Sequence, residues 1–228
     1  RDDTGNIHAP QHEGVAMNDT LTRISLLFAV CLTILSCGKV SREPSLEHGD
    51  WPQYRADAGR TAYTPSGLPD GLTLRWKLEQ PEPRPAWRGV HTRMIFDYAY
   101  QPVVSGKTLF FGSSADNKIY AVDTATGRER WSFFTGGPVR FAPAVYSGRV
   151  YAGSDDGYLY CLDAAKGTVI WKKRLAPEDA LVIGNDRMVS RWPVRGGIAI
   201  RDGVLYAGAG IWPRSEEHTS ELQSRQVI

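Results

Sequence analysis

Two stretches of the sequence concentrate side chains that could bind a ligand. Each combines arginines with a tryptophan, and the first also holds a histidine. The residues are Trp87, Arg88, His91 and Arg93 in the first stretch and Arg187, Arg191, Trp192 and Arg195 in the second. Guanidinium groups pair with carboxylates and phosphates, and aromatic rings stack against cations and sugars, so the stretches form a candidate face for an anionic or sugar-like ligand. The structural alternative is that the arginines cover the surface and pair with nearby acidic residues, namely Glu82, Asp97, Glu178 and Asp179.

We predict no catalytic residue and no metal site. The sequence has no glycine-rich phosphate loop, no paired-cysteine zinc motif and no Ser/His/Asp arrangement supported by spacing. Asp155-Asp156-Gly157 carries carboxylates that could bind calcium, but Asp-Gly is also typical of a β-hairpin turn, and we interpret the motif as a turn. Cys161 lies at an interior-looking strand position and is interpreted as a small buried apolar residue rather than a nucleophile.

The two stretches flank a sequence repeat. Residues 102–131 and residues 143–171 follow one pattern, in which an aspartate, a glycine and a tryptophan keep their spacing. The recurring residues, 40 positions apart, are Asp123 and Asp163, Gly127 and Gly167, and Trp131 and Trp171. We interpret the aspartate and glycine as turn residues and the tryptophan as a side chain buried between neighbouring repeats.

Each repeat divides into four candidate strands separated by turns that contain Gly, Asp or Ser. In the second repeat the predicted strands are 142–146, 149–153, 158–162 and 168–172. A period near 40 residues with four short strands predicts a propeller blade. The fold class is therefore all-β: an incomplete β-propeller of four-stranded antiparallel blades, with about two to three blades present.

Two segments are predicted to be incomplete parts of other blades. A third repeat starts at Ile198 and is expected to stop after two strands. Residues 72–78 are expected to form the outer strand of the blade that closes the ring. This strand is left without neighbours if the C-terminal blades are absent.

The connections between repeats differ in length. The last residue of one repeat and the first of the next are 12 positions apart in the short connection and 26 and 27 apart in the two long ones. The three connections run from Trp131 to Pro143, from Trp76 to Pro102 and from Trp171 to Ile198. In a propeller, all connections from an outer strand to the next inner strand leave on the same face. Both long connections, which hold the two arginine–tryptophan stretches, are therefore predicted to lie on one face.

The repeat resembles the pyrroloquinoline-quinone (PQQ) repeat. Residues 121–127 (AVDTATG) with Trp131, and residues 161–167 (CLDAAKG) with Trp171, follow its pattern A-x-D-x-x-[TK]-G-x-x-x-W in loose form. The family includes quinoprotein alcohol dehydrogenases and non-enzymatic members such as the propeller subunit of the outer-membrane barrel-assembly machinery. The resemblance implies the propeller fold. It makes PQQ and calcium possible cofactors, although the adjacent cysteines of the quinoprotein enzymes are missing here and their calcium ligands have no identified counterpart.

The N-terminal region is predicted to direct export. An apolar run of about 12 residues, Ile24–Leu35, is too short to span a bilayer but suits a signal peptide. It ends in Ile34-Leu35-Ser36-Cys37, which resembles a lipobox and implies lipid attachment at Cys37. Secretion without lipid and a retained anchor are the alternatives. The predicted segments are a leader or gene-model artefact over 1–16, a lipoprotein-type signal peptide over 17–37 and a tether over 38–50.

The propeller segment is predicted to run from residue 51 to residue 213. The polar residues 214–228 follow it, and residues 214–224 resemble the translation of a sequencing-library adapter. We therefore expect this tail to be non-native and assign it no function.

The expected function is a binding or scaffold propeller, with no catalysis evident. A formal net charge of +2 over 228 residues argues against a general nucleic-acid-binding role. We expect an exported protein of the bacterial cell envelope, held to the membrane by lipid, with a protein or glycan partner on the candidate ligand face. The alternative is a periplasmic or surface quinoprotein (PQQ-dependent) alcohol or sugar dehydrogenase.

Overall fold

The computed structural model describes residues 49–68, 70–86, 97–184, 187–210 and 222–227. These residues form strands, turns and irregular segments without a helix, so they include no helix long and apolar enough to cross a bilayer. Several predictions concern residues outside the described part of the chain. They are the export signal, lipid attachment at Cys37, and the ligand-face residues Trp87, Arg88, His91 and Arg93.

The described strands form three sheets and one separate hairpin. The first sheet contains β1 (Val103–Ser105), β2 (Thr108–Ser113), β3 (Lys118–Asp123) and β4 (Glu129–Phe134). The second contains β5 (Ala144–Tyr146), β6 (Arg149–Gly153), β7 (Tyr158–Asp163) and β8 (Val169–Arg174). The hairpin consists of β9 (Leu181–Gly184) and β10 (Arg187–Ser190), and the third sheet contains β11 (Ala199–Arg201), β12 (Val204–Ala209) and β13 (Leu222–Val227).

Each sheet is an antiparallel meander in which strands pair in chain order. The first and second sheets are complete four-stranded blades with matching registers, including the same irregularity between the third and fourth strands. Strand β5 lies between β1 and β11, so the three short first strands are neighbours and the sheets follow one another side by side. This arrangement confirms the prediction of an all-β, partial propeller built from four-stranded antiparallel blades.

Two predictions about the incomplete segments need correction. Residues 72–78 do not form a strand: their side chains pack on the first sheet, but their backbone pairs with none of the described strands. The sheet that holds the third repeat has three described strands rather than two, since β13 pairs with all six residues of β12. Without a third strand, the edge of β12 would present unpaired backbone N–H and C=O groups, and β13 pairs with these groups. The origin of residues 214–228 stays a prediction.

Alternation along the strands of the second sheet explains its burial on both faces. Tyr160 and Leu162 of β7 pack towards the first sheet, whereas Leu159 and Cys161 pack towards the third. Period-two alternation in a strand sends successive side chains to opposite faces, and here both faces are apolar. Cys161 is a buried free thiol, and burial raises its pKa, as expected for a small core residue.

The repeated tryptophan joins neighbouring sheets. Trp131 of β4 donates its indole N–H to the backbone oxygen of Ala164 in the next sheet, at 3.0 Å, and its ring covers Gly167. A Cβ on Gly167 would lie 2.5 Å from that ring, and the glycine has a φ of +70°. Trp76 makes the same contact with the first sheet, because its indole donates to the Thr124 oxygen at 2.9 Å. The spacing of the sequence repeat thus follows from this contact between blades.

An N-terminal strap, residues 50–62, crosses the first strands of all three sheets. Trp51 exchanges two backbone hydrogen bonds with Val104 of β1, and the Pro52 oxygen accepts from Val145 of β5. The Gln53 side-chain amide both donates to and accepts from the backbone of Ile200 in β11. Three consecutive residues therefore tie three successive sheets together.

Candidate ligand-binding face

One end of the sheets carries the connections between blades and the turns between second and third strands. We define the connector face as the described residues 79–86, 97–102, 114–117, 135–143, 154–157, 175–184 and 187–198. The first long connection reaches it through Arg84, whose backbone N–H donates to the Ser114 hydroxyl at 2.9 Å. The second reaches the same turn through Arg187, which donates to the Ser114 carbonyl at 2.7 Å. Both long connections contact one turn, so they share a face as predicted.

A buried charge cluster holds the centre of the connector face. Both carboxylate oxygens of Asp155 accept from Arg195, at 2.7 and 2.8 Å. Arg140 donates to Asp155 at 2.7 Å and to Asp97 at 2.8 Å, and all three of these side chains are almost fully buried. Asp97 also accepts the backbone N–H of Ala86 at 2.6 Å. The cluster thus links the first long connection, the short connection, the turn of the second blade and the second long connection.

Arg187 is a second fixed point of the connector face. Its guanidinium donates to the carbonyl oxygens of Ser114 and Ala115 and to the Asn117 side chain, at 2.7 to 2.9 Å. The pKa of Arg187 lies below its usual value because burial disfavours the charged form and because the guanidinium groups of Arg84 and Arg140 are close. Three positive side chains therefore crowd this part of the face.

The described ligand-face residues fall into two groups. Arg187 and Arg195 are occupied by the hydrogen bonds above, and they position the second long connection. Arg191 is exposed, with its guanidinium 5.1 Å from the Trp192 ring centre and 3.8 Å from the Glu178 carboxylate. Trp192 is half-buried against the core between the second and third sheets. Arg191 and Trp192 therefore form the solvent-facing part of the predicted set.

The alternative pairing predicted for the arginines is found in part. Arg191 lies next to Glu178 as proposed, but Asp97 pairs with Arg140, which the sequence analysis did not single out. The turn predicted over Asp155-Asp156-Gly157 is present, and within it the Asp155 carboxylate binds Arg195. The Asp156 carboxylate accepts the Gly136 and Tyr158 backbone N–H groups and the Tyr160 hydroxyl.

Two signals in the sequence could have identified the missed residues. Pro138-Val139-Arg140 recurs as Pro193-Val194-Arg195, 55 positions later, which is the offset of the third repeat. In both copies the valine packs on a glycine of the preceding blade, Gly112 or Gly153. The valine N–H donates to the backbone oxygen of the serine that follows that glycine. Asp116 and Tyr120 likewise recur 40 positions later as Asp156 and Tyr160.

The two Tyr–Asp pairs are part of the blade structure. Each tyrosine donates its hydroxyl to the aspartate four residues before it, inside the turn between second and third strands. The pKa of both tyrosines is raised, first by burial and then by the hydrogen bond to the neighbouring carboxylate. These phenols stay protonated and brace the turns that carry the connector face.

The described residues do not fit the calcium that the PQQ-repeat resemblance implies, and a cavity between the second and third sheets is too small for the quinone. They contain no group of three or more His, Cys, Asp or Glu side chains placed to hold a metal ion. The oxygens of Asp155, the most buried carboxylate of the face, are already bound by two guanidinium groups. The cavity between the second and third sheets, lined by Gly153, Val194 and Ile198 among others, has a volume of about 10 Å³, room for about one water molecule.

Comparison with known proteins gives a family and a set of longer relatives. The family model described as outer membrane protein assembly factor BamB matches residues 73–209. Quinohemoprotein alcohol dehydrogenase of Comamonas testosteroni is 29% identical over 140 residues, which cover 54% of this chain and 18% of that protein. 1-Butanol dehydrogenase (cytochrome c) of Thauera butanivorans is 26% identical over 212 residues, which cover 78% of this chain and 28% of that protein.

A solved structure supports the fold. The crystal structure of quinohemoprotein alcohol dehydrogenase from Comamonas testosteroni matches 71% of this chain and 23% of its own, with a TM-score of 0.52 at 23% identity. The chain spans less than a third of the length of each of these relatives.

Proposed function

Since the chain belongs to the family of PQQ-repeat propellers whose model is described as outer membrane protein assembly factor BamB, we propose that it is a binding or scaffold module of the bacterial cell envelope. Its partner is a protein that docks on the connector face. A glycan is the second ligand class that the half-buried Trp192 and the exposed Arg191 suit. The family description supports a partner located in the envelope.

The observation that carries this proposal is the charge cluster beneath the connector face. Arg140, Asp97, Asp155 and Arg195 bind one another and fix both long connections in place. A surface that is ordered before binding loses less conformational entropy when a partner docks. Arg191 and Trp192 lie in the connection that this cluster holds in place. Arginine and tryptophan are both enriched among the side chains that contribute most to binding energy at protein interfaces.

Export and lipid attachment complete the proposal. The apolar run before Cys37 supports export, and the lipobox resemblance supports an anchor at that residue. A single acyl chain gives only marginal membrane binding, so firm anchoring needs more than one chain. Metabolic labelling with a palmitate analogue tests this step, because Cys37→Ser is expected to abolish incorporation and Cys161→Ser to leave it unchanged.

The second candidate is a quinoprotein dehydrogenase, and the identity with two alcohol dehydrogenases favours it. The donor groups of the described residues do not support this activity, because the central carboxylates are bound to arginines. Titration of the full chain with PQQ and calcium, followed by dye-linked alcohol and sugar oxidation, separates the two candidates. Saturable binding with turnover would replace the scaffold proposal with the enzyme.

The partner is tested by site-specific photocrosslinking in the envelope of the producing bacterium. A photoreactive residue at Arg191 is expected to capture one protein, identified by mass spectrometry and then shown to bind the purified chain saturably. The matched control position is Lys166, which is exposed in the turn between β7 and β8 at the opposite end of the sheet. Equal capture at both positions, or none at Arg191, would overturn the proposal.

A further inference from the structure

The β9–β10 hairpin projects from the second long connection and is anchored on one side. Ser190 donates its backbone N–H to the backbone carbonyl oxygen of Asp155 at 2.7 Å, and Val189 is buried. Arg187 at the other end of β10 binds the turn of the first sheet. The β10 side of the hairpin is therefore held against the blades.

The opposite face of the hairpin is apolar and exposed. Ile183 and Met188 stand directly across from each other in the hairpin, with 81% and 56% of their surface exposed. Leu181, 52% exposed, lies two residues from Ile183 and so points to the same face. Ile183 and Met188 thus form one apolar cross-strand pair, and Leu181, which faces the buried Ser190, extends this apolar strip along β9.

None of the described strands pairs with the outer edge of β9. Arg191 donates its N–H to the Ala180 oxygen at 2.8 Å, which makes these two residues a hydrogen-bonded pair. Such pairs alternate along antiparallel strands, so Leu181 and Ile183 direct their N–H and C=O groups away from β10. The Ser190–Asp155 hydrogen bond agrees with this alternation. Ser190 lies opposite Leu181, and its N–H points away from β9 towards the Asp155 backbone oxygen.

The size and charge of this site favour an extended segment of a protein partner. A stable protein–protein interface buries roughly 800 Å² of each partner. Three side chains provide much less area than that, so the strip alone does not support a dimer. A strand added to a free edge gains main-chain hydrogen bonds as well as side-chain contacts. Glu178 and Asp179, both exposed, precede β9. Glu178 already lies 3.8 Å from Arg191, so a basic residue near the C-terminal end of an antiparallel strand would lie beside the Asp179 carboxylate.

We propose that β9 is a docking edge for an extended protein segment with apolar side chains at alternate positions, followed by Lys or Arg. The segment pairs antiparallel with Leu181 and Ile183, and its apolar side chains join those of Ile183 and Met188. The inference deepens the proposed function and rests on it, because it names the part of the connector face that meets the partner and the form that the partner takes.

A defined peptide tests this inference on the full chain. The probe is fluorescein-labelled Thr-Val-Thr-Val-Thr-Val-Thr-Lys-Lys, and binding is followed by fluorescence anisotropy. Ile183→Pro removes an outward N–H without touching the bonds between β9 and β10, and it is expected to raise the Kd about tenfold. Ile183→Lys disrupts the apolar strip and is expected to have a similar effect, whereas Leu68→Lys, at a residue 82% exposed elsewhere, is expected to have none.

The results that would overturn the docking edge differ from those that would overturn the proposed function. Equal binding of a scrambled peptide of the same composition, or wild-type affinity in both Ile183 variants, would overturn the docking edge. A concentration-dependent dimer in sedimentation that Ile183→Pro abolishes would assign the edge to a second copy and also overturn it. If capture at Arg191 persists in a folded Ile183→Pro chain, the edge is wrong and the proposed function stands. If the unaltered chain shows no capture, the proposed function fails first.

Discussion

Asp155→Asn removes the negative charge that faces two buried guanidinium groups. Asparagine keeps the shape of the side chain but offers one acceptor oxygen, and its NH₂ group is turned towards a donor. Breaking a buried ion pair from one side leaves an uncompensated charge and costs about 3–5 kcal/mol. Arg140 still faces Asp97, whereas the ion pairs of Arg195 go to Asp155, so the loss falls mainly on Arg195. We expect the free energy of unfolding to fall by about 3 kcal/mol.

Urea unfolding followed by tryptophan fluorescence measures this loss. The matched control is Asp202→Asn, because Asp202 lies 3.7 Å from Arg201 with both side chains exposed. Exposed pairs contribute about 0–1 kcal/mol, and asparagine tolerates the positive φ of this position, so the control is expected to stay within 1 kcal/mol of the unaltered chain. Both variants lose one carboxylate charge, so the difference between their free energies of unfolding measures the effect of burial.

A double variant provides the sharper test. Arg195→Met removes the charge that Asp155→Asn leaves unpaired and fills the space with an apolar chain. We therefore expect the double variant to be more stable than Asp155→Asn alone, with a coupling energy of about 1–3 kcal/mol. The reasoning is refuted if Asp155→Asn unfolds within 1 kcal/mol of the unaltered chain. Strictly additive effects would refute the direct pairing of the two residues.

Two further predictions concern the repeat. Gly167→Ala and Gly148→Ala both place a Cβ at a φ near +70°, but only the Cβ at position 167 meets an obstacle, the Trp131 ring. Urea unfolding should therefore show a loss of stability of about 2–4 kcal/mol for Gly167→Ala and about 1–2 kcal/mol for Gly148→Ala. Equal losses would argue against the packing contact. Arg130 holds the pKa of Asp123 at about 2, so the contribution of this carboxylate to stability is complete above its usual pKa of 3.8 and is lost as the pH falls towards 2. Arg130→Ala is expected to raise that pKa in an NMR titration, and an unchanged midpoint would assign the shift to other groups.

The blades could be predicted from the sequence because their determinants are local. The aspartate and glycine of the third turn lie four positions apart, and in both blades the glycine N–H donates to the backbone oxygen of the aspartate at 2.8 Å. The tryptophan four residues after each glycine then falls at a fixed place on the fourth strand. Spacing within one turn and one strand is enough to fix this geometry, which is why the repeat predicted the fold.

The connector face could be predicted only in part because its contacts join distant positions. Arg187 and Ser114 are 73 positions apart, and Arg195 and Asp155 are 40 apart. Composition located the arginines, but no local pattern indicates which of them a carboxylate will bind and which will face solvent. The hairpin was missed for a different reason: its two strands of four residues are shorter than most strands, and their exposed apolar side chains do not follow a buried-face pattern.

The position after the serine that begins the turn between second and third strands connects the repeat to the proposed function. These serines are Ser113 and Ser154, whose backbone oxygens accept the N–H groups of Val139 and Val194. In the first sheet this position is Ser114, and in the second it is Asp155. Both receive an arginine from the second long connection, but Ser114 offers a backbone oxygen whereas Asp155 offers a charge. Equivalent turns thus bind two arginines in different ways, and the hairpin is held between them. Departures from the repeat therefore build the surface that we propose for partner binding, while the repeated residues hold the blades together.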